Sequence, residues 1–348
     1  MAATRAGRDA IRFRRDHNRE AACDLPLAAE IESLPELPSV LQPPDEPHAP
    51  PNTLTQMIGG GLAAAIAAAL LLGGYLVAVK RYFSHYPPTL YLAIVHAVGL
   101  CWYLPVIAAT GSLDGLFPPL TAVETAIVGG TVGLIGVALA AFYHALAIGD
   151  VSYVAPISKI VPVFVLPLEV ALLGQRVSTV QILGLCVATS AVYVANYHGG
   201  SLFAPLRTVF DRRDALLALG SAAVFGVVDV GKRVSMQELA VPADGFVVVT
   251  LVIVPILLGP WAIRHRHSVA LNTDRRKLLL AGGVLAAGQH LVSVAFVTLP
   301  ASVVSPVVNT QAVIAVVLGS LLLGEPHTDV RLLAGGLAVV GVGLISVG

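Results

Sequence analysis

The sequence predicts an all-α polytopic membrane protein, with ten transmembrane helices in two inverted five-helix repeats behind a disordered N-terminal tail. Three observations predict it. Of the 348 residues, 56% are hydrophobic and only 12% are charged, about half the charge of a soluble domain. From Met57 onward the chain divides into ten apolar segments, each near the roughly 20 residues that cross about 30 Å of hydrocarbon as a helix. And one stretch occurs twice. Val151–Val194 aligns on Ala301–Leu344 without a gap, at a constant offset of 150, with 12 identities in 44 positions.

Residues 1–50 hold six arginines, nine acids and several prolines, with no apolar run of helical length. Low hydrophobicity and a Pro-rich end at 41–51 predict an extended, disordered tail over 1–53. Arg14-Arg15 is not read as an export signal, because no hydrophobic segment follows it for about 40 residues.

The segments fall near 57–79, 88–109, 122–147, 151–173 and 177–197 in a first repeat (54–197). After a linker at 198–214 come 215–236, 242–263, 276–298, 301–323 and 328–347 in a second repeat (215–348). Short polar or Gly/Pro breaks separate most of them, such as Ser84-His85-Tyr86-Pro87-Pro88. Within the duplicated stretch, Ser152, Val154 and Pro156 match Ser302, Val304 and Pro306, and Leu172-Leu173-Gly174 matches Leu322-Leu323-Gly324. The duplication reaches the first helix of each half. Gly74 to Lys80-Arg81 resembles Gly226 to Lys232-Arg233, at an offset of 152. Five is odd, so the second half enters the membrane from the opposite side, and inverted repeats suit transporters.

These residues resemble the EamA family of the drug/metabolite transporter superfamily. Tyr143-His144-Ala145-Leu146, Val154-Ala155-Pro156, Leu172-Leu173-Gly174-Gln175-Arg176 and Gly184 fill the family pattern in the first copy. Ser305-Pro306, Leu322-Leu323-Gly324-Glu325 and Gly335-Gly336 fill it in the second. Gln175 and Pro326 depart from it, and His96 lies where the family's second helix commonly carries Arg. The resemblance implies a plasma-membrane secondary transporter with cytoplasmic termini and no enzymatic role. A small-molecule substrate and the lipid bilayer are its partners, with room for a coupling proton and a homodimer. No cofactor, metal or nucleic-acid partner is expected, and the zero net charge leaves no basic face for nucleic acid. Cys23, Cys101 and Cys186 lie too far apart for a metal or disulfide framework.

Ionisable and amide groups within membrane helices are costly and mark function by default. Lys159 and its repeat mate Asn309 each follow the shared proline by one turn. They are read as a pseudo-symmetric pair lining the substrate path, against snorkelling of Lys159 to the interface. Gln311, Gln289, His290 and Tyr75 complete the expected substrate-binding set, with helices one, three, four, six, eight and nine supplying the lining. Asp229 and His290 are the coupling candidates. The bland alternative for Asp229 is a local ion pair with Lys232 and Arg233 at i+3 and i+4, and for His290 a packing role. His96 and His144 are weighed the same way. Glu169 reads as interfacial and Glu124 as a helix-dipole partner. Gly226 to Arg233 nearly spells a phosphate-binding loop, but Arg233 supplies no hydroxyl and no strand precedes it.

The positive-inside count opposes the resemblance. Cytoplasmic termini would leave 3 basic residues in inner loops against 11 in outer ones, so sidedness stays open. The alternative function, a membrane-embedded enzyme acting on a lipid-linked substrate, requires clustered acids or histidines at a membrane surface. No paired motif of that kind occurs in the sequence.

Overall fold

A computed structural model describes residues 11–13, 29–31, 52–110, 115–158, 160–173, 178–195, 211–266, 273–323 and 328–347. Most of the predicted tail and of the 198–214 linker lies outside these. The chain divides into two units, Met1–Gln56 and Met57–Gly348. In the first, β1 (Ile11–Phe13) and β2 (Ala29–Ile31) pair in parallel, in the register Ile11↔Ala29. Both read apolar-charged-apolar, the period of a strand.

The second unit is helical: α1 (Asn52–Phe83, within this unit from Met57), α2 (Pro88–Ala109), α3 (Ala122–Ile148), α4 (Val151–Ser158), α5 (Pro162–Leu173) and α6 (Thr179–Ala195) form the first half. The second half is α7 (Arg213–Arg233), α8 (Ala243–Arg264), α9 (Arg275–Thr298), α10 (Ala301–Asn309), α11 (Gln311–Leu323) and α12 (Thr328–Val347). Among the described residues, seven helical runs are long and apolar enough to cross a membrane.

The fourth and ninth predicted segments, read as continuous helices over 151–173 and 301–323, are each broken. The breaks fall at equivalent places. One lies between Ser158 and Pro162, the other at Thr310. Proline explains the first: Pro162 has no N–H to continue the ladder and restarts the chain as the first residue of α5. In the second, Pro306 leaves the Ser302 carbonyl without its helical donor. Beyond it, the Asn309 side chain donates to the Ser305 carbonyl at 2.7 Å and to its Oγ at 3.1 Å, holding the last turn of α10.

Contacts between the halves join equivalent helices. Gly226 of α7 lies so close to α5 that a Cβ would come 2.5 Å from Phe164 Cβ, and one on Gly73 of α1 would come 2.7 Å from Ile314 Cβ of α11. Phe164 and Ile314 are mates at the offset of 150. Only glycine permits either approach. Ser221 of α7 donates to the Ala138 carbonyl of α3 at 2.9 Å, while Leu72 of α1 packs on Gly288 of α9, the mate of Ala138. The last helices, α6 and α12, lie along each other, and α2 packs on α8 and α9.

Two polar clusters tie helices together. Arg233 Nη1 meets Glu169 Oε1 at 2.8 Å between α7 and α5. The Glu169 side chain is fully buried in the protein. The sequence also grouped Arg233 with Asp229, but Arg233 spends its charge across the helix pair instead. Outside the spans, Asp274 accepts from Lys277 Nζ at 2.8 Å and lies 3.2 Å from His85 Nε2 and 3.4 Å from the Tyr86 hydroxyl. It joins the α1–α2 turn to the start of α9.

Removing either partner of the buried pair strands the other's charge. Glu169→Ala and Arg233→Ala are each expected to cost about 3–5 kcal/mol, and the double variant less than their sum, measured by unfolding in detergent. The Lys277 hydrogen bond, then its charge and His85, hold the Asp274 carboxyl below its ordinary value. Its contribution is therefore complete above the unfolded carboxyl value of about 3.9 and is lost as pH falls through the lower folded value. Asp274→Asn is expected to lower the melting temperature at pH 7 and to flatten its acid dependence below about pH 4.

Candidate functional site

A cavity of about 100 Å³ lies within the second unit, lined from both halves. It opens where the two broken spans interrupt their ladders, so backbone irregularity and polar side chains coincide there, as lipid exclusion requires. Helices α1 and α3 present Tyr75 and Tyr143, α7 presents Asp229 and Lys232, and α9 presents Gln289. The second break presents Asn309 and Gln311. Leu72, Phe142, Phe225 and Phe296 give the rest of the wall its apolar character.

The polar groups of the wall are held to different degrees. The Tyr75 hydroxyl is 2.8 Å from that of Tyr91, whose ring stacks on Tyr143 at 5.7 Å between centroids. This aromatic set orients Tyr75 at the wall. Asn309 has its amide nitrogen committed to Ser305, so its carbonyl oxygen is the group with capacity left. Gln311, which begins α11, is 5% exposed and makes no hydrogen bond among the described residues. Asp229 and Lys232 lie one turn apart on α7, both buried and both at the cavity. Lys232 Nζ lies 5.5 Å from the centroid of the Phe296 ring.

Of the expected substrate-binding residues, Tyr75, Gln289, Asn309 and Gln311 line this one cavity, together with the coupling candidate Asp229. Lys159 lies outside the described residues. His290 does not join them, and its grouping with Gln289 is corrected. Successive helical residues point about 100° apart, and His290 turns to another face of α9. There its Nδ1 is 2.7 Å from the Tyr103 hydroxyl and 3.2 Å from Asp244, to which Tyr103 donates at 2.5 Å. His96 is buried with Nδ1 at 2.8 Å from the Leu92 carbonyl, and exposed His144 has the same bond to Ala140 at 2.7 Å. Neither lines the cavity. Sequence reasoning missed Lys232 and Tyr143 as lining residues. Lys232 was visible only as half of a repeated Lys-Arg motif, and Tyr143 only as part of a family pattern.

Broken helices around a cavity with a few polar groups in its wall, within an otherwise apolar helical body, mark an integral, multi-pass membrane protein. The chain belongs to the EamA-like transporter family, whose model matches residues 59–197 and 213–347, one copy in each half. A solved structure described only as "Crystal structure of protein" is similar in fold. It has a TM-score of 0.61 at 16% identity, over 82% of this chain and 96% of its own. No curated protein matches the chain significantly.

Proposed function

We propose that this protein is a secondary active transporter that moves a small organic metabolite, as an exporter or exchanger. It works by alternating access between two inverted five-helix repeats in the plasma membrane. Ten spans cross the bilayer in this reading, with α4–α5 and α10–α11 each forming one broken span. The observation that carries it is the cavity lined by both halves at the breaks of two equivalent spans. The contacts between equivalent helices of the two halves support the mechanism, because a second state can form by exchanging partners of nearly the same shape.

Tyr75, Gln289, Asn309, Gln311 and Lys159 bind substrate in this reading. Asp229, the cavity's acid, couples transport to a proton. His290, Tyr103 and Asp244 form a separate hydrogen-bonded set away from the cavity.

Purified protein in proteoliposomes is expected to support counterflow of at least one solute from a panel of metabolites, drugs and sugar nucleotides. No counterflow of any solute, with hydrolysis of a lipid-linked substrate instead, would sink the proposal. Asn309→Ala and Lys159→Ala should each slow transport roughly tenfold, the worth of one lost polar contact, without loss of folded protein. Asp229→Asn should keep counterflow but lose the response to an imposed pH gradient. A gradient response that survives in that variant would remove Asp229 from coupling.

A further inference from the structure

The two halves treat one lysine differently. Lys80, near the end of α1, donates to the carbonyls of Leu146 and Gly149 at 2.8 and 2.7 Å, closing the C-terminus of α3. A cation there suits both the unpaired carbonyls and the helix dipole. Its mate at the offset of 152 is Lys232, and the matching carbonyls at the offset of 150 are those of Phe296 and Leu299 on α9. Symmetry would send Lys232 to them. Instead Gln237 occupies both, its Nε2 donating to Phe296 at 2.9 Å and to Leu299 at 2.8 Å.

A change in the backbone makes the substitution. In the first half α1 ends at Phe83 and the chain turns at once, with the Tyr86 N–H bonded to the Phe83 carbonyl. In the second, α7 runs on into a π turn at Val234–Glu238, which places Gln237 at α9. Such turns insert a residue and re-aim side chains, often at functional sites. Lys232 is thereby released. It is 6% exposed, lines the cavity, and makes no hydrogen bond among the described residues.

We propose that Lys232 is the anion-binding group of the cavity and that its ligand is a small organic monocarboxylate with an apolar body. This rests on the transporter reading and narrows its substrate. A buried ammonium must gain hydrogen-bond acceptors and charge compensation to offset desolvation. In the coupling reading Asp229, a turn away, enters with its proton, so Lys232 presents one positive charge to be matched, and a dianion such as a phosphate monoester would leave net charge in a largely apolar site. A carboxylate adds a single charge and two acceptors, which Lys232 and the amide of Gln311 can share. Phe225, Phe296 and Leu72 suit a hydrocarbon body.

The test uses four probes of one carbon skeleton: 4-methylpentanoate, 4-methylpentanamide, L-leucine and L-leucinamide. Thermal stabilisation of the full-length protein in detergent measures binding, and counterflow in proteoliposomes measures transport. Each carboxylate is expected to bind roughly 10- to 100-fold more tightly than its amide, the range of a charge-assisted hydrogen bond. Lys232→Met should abolish that preference and Lys232→Arg should keep part of it. Should Lys232→Met fail to fold, Gln237→Ala decides. With the Phe296 and Leu299 carbonyls vacated, Lys232 is expected to cap them as Lys80 caps its own, and carboxylate affinity should drop at least several-fold in a folded protein. Amides binding as well as carboxylates, no probe binding at all, or a preference that survives both Lys232→Met and Gln237→Ala would overturn the inference. Counterflow of a neutral solute alongside such a result would leave the transporter reading standing. Absence of all counterflow would defeat that reading whatever the probes do.

Discussion

Lipid supplies no hydrogen bonds, so each backbone carbonyl released inside the spans must find a partner within the protein. That constraint shapes the centre of this molecule. Breaking a span twice, at Pro162 and after Pro306, opens a cavity, and each break is affordable only where polar side chains gather. Asn309 reaches back to Ser305, Ser158 to Ala155 at 3.0 Å, and the ends of α3 and α9 are closed by Lys80 and Gln237. The polar groups that satisfy the backbone are thus neighbours of those that face the cavity, and some are the same residues.

Much of the architecture was legible because hydrophobic length and internal duplication are one-dimensional signals. The spans over 88–109, 122–147, 242–263 and 276–298 agree with α2, α3, α8 and α9 within a few residues. The helix breaks were not legible as breaks, because proline in a membrane helix can kink it or end it, and tertiary contacts decide which. Pro105, Pro255 and Pro260 sit inside intact helices, while Pro162 restarts one. The site was legible as a set of residue types. Tyr75, Gln289, Asn309 and Gln311 are polar residues in apolar runs, and the fold gathers them. His290 satisfied the same criterion, yet faces Tyr103 and Asp244, because composition cannot tell one helix face from the next without knowing which face packs inward.

Charge pairing was the least legible feature. Spacing alone linked Asp229 with both Lys232 and Arg233, since i+3 and i+4 fall on one face. The folded chain separates the two cations: Lys232 stays beside Asp229 at the cavity, while Arg233 crosses to Glu169 on α5, a residue 64 positions earlier. Its counterpart Arg81 also crosses to the fourth span of the other half, reaching the Leu322 carbonyl at 2.9 Å. The arginines of the repeated motif therefore both reach the broken span of the other half, Arg233 by an ion pair and Arg81 by a carbonyl. The lysines do not share a role.

That divergence says where an inverted repeat can acquire specificity. A symmetric scaffold is useful for exchanging two states of similar energy, but a wholly symmetric cavity could offer only paired identical groups to a ligand that has no such symmetry. Here the scaffold elements stay alike: the mates Phe164 and Ile314 each press on a glycine of the other half's first helix, Gly226 and Gly73, and the mates Ala138 and Gly288 sit at the crossing helices. Polar positions diverge, with Lys159 set against Asn309 in sequence and Lys80 against Lys232 in structure. In the second pair the residue type is unchanged, and the new role comes from a π turn and a glutamine five residues further on. Comparing residues at matched positions would record that lysine as kept for structure. Following the carbonyls it no longer serves identifies it as the charge that the cavity gained.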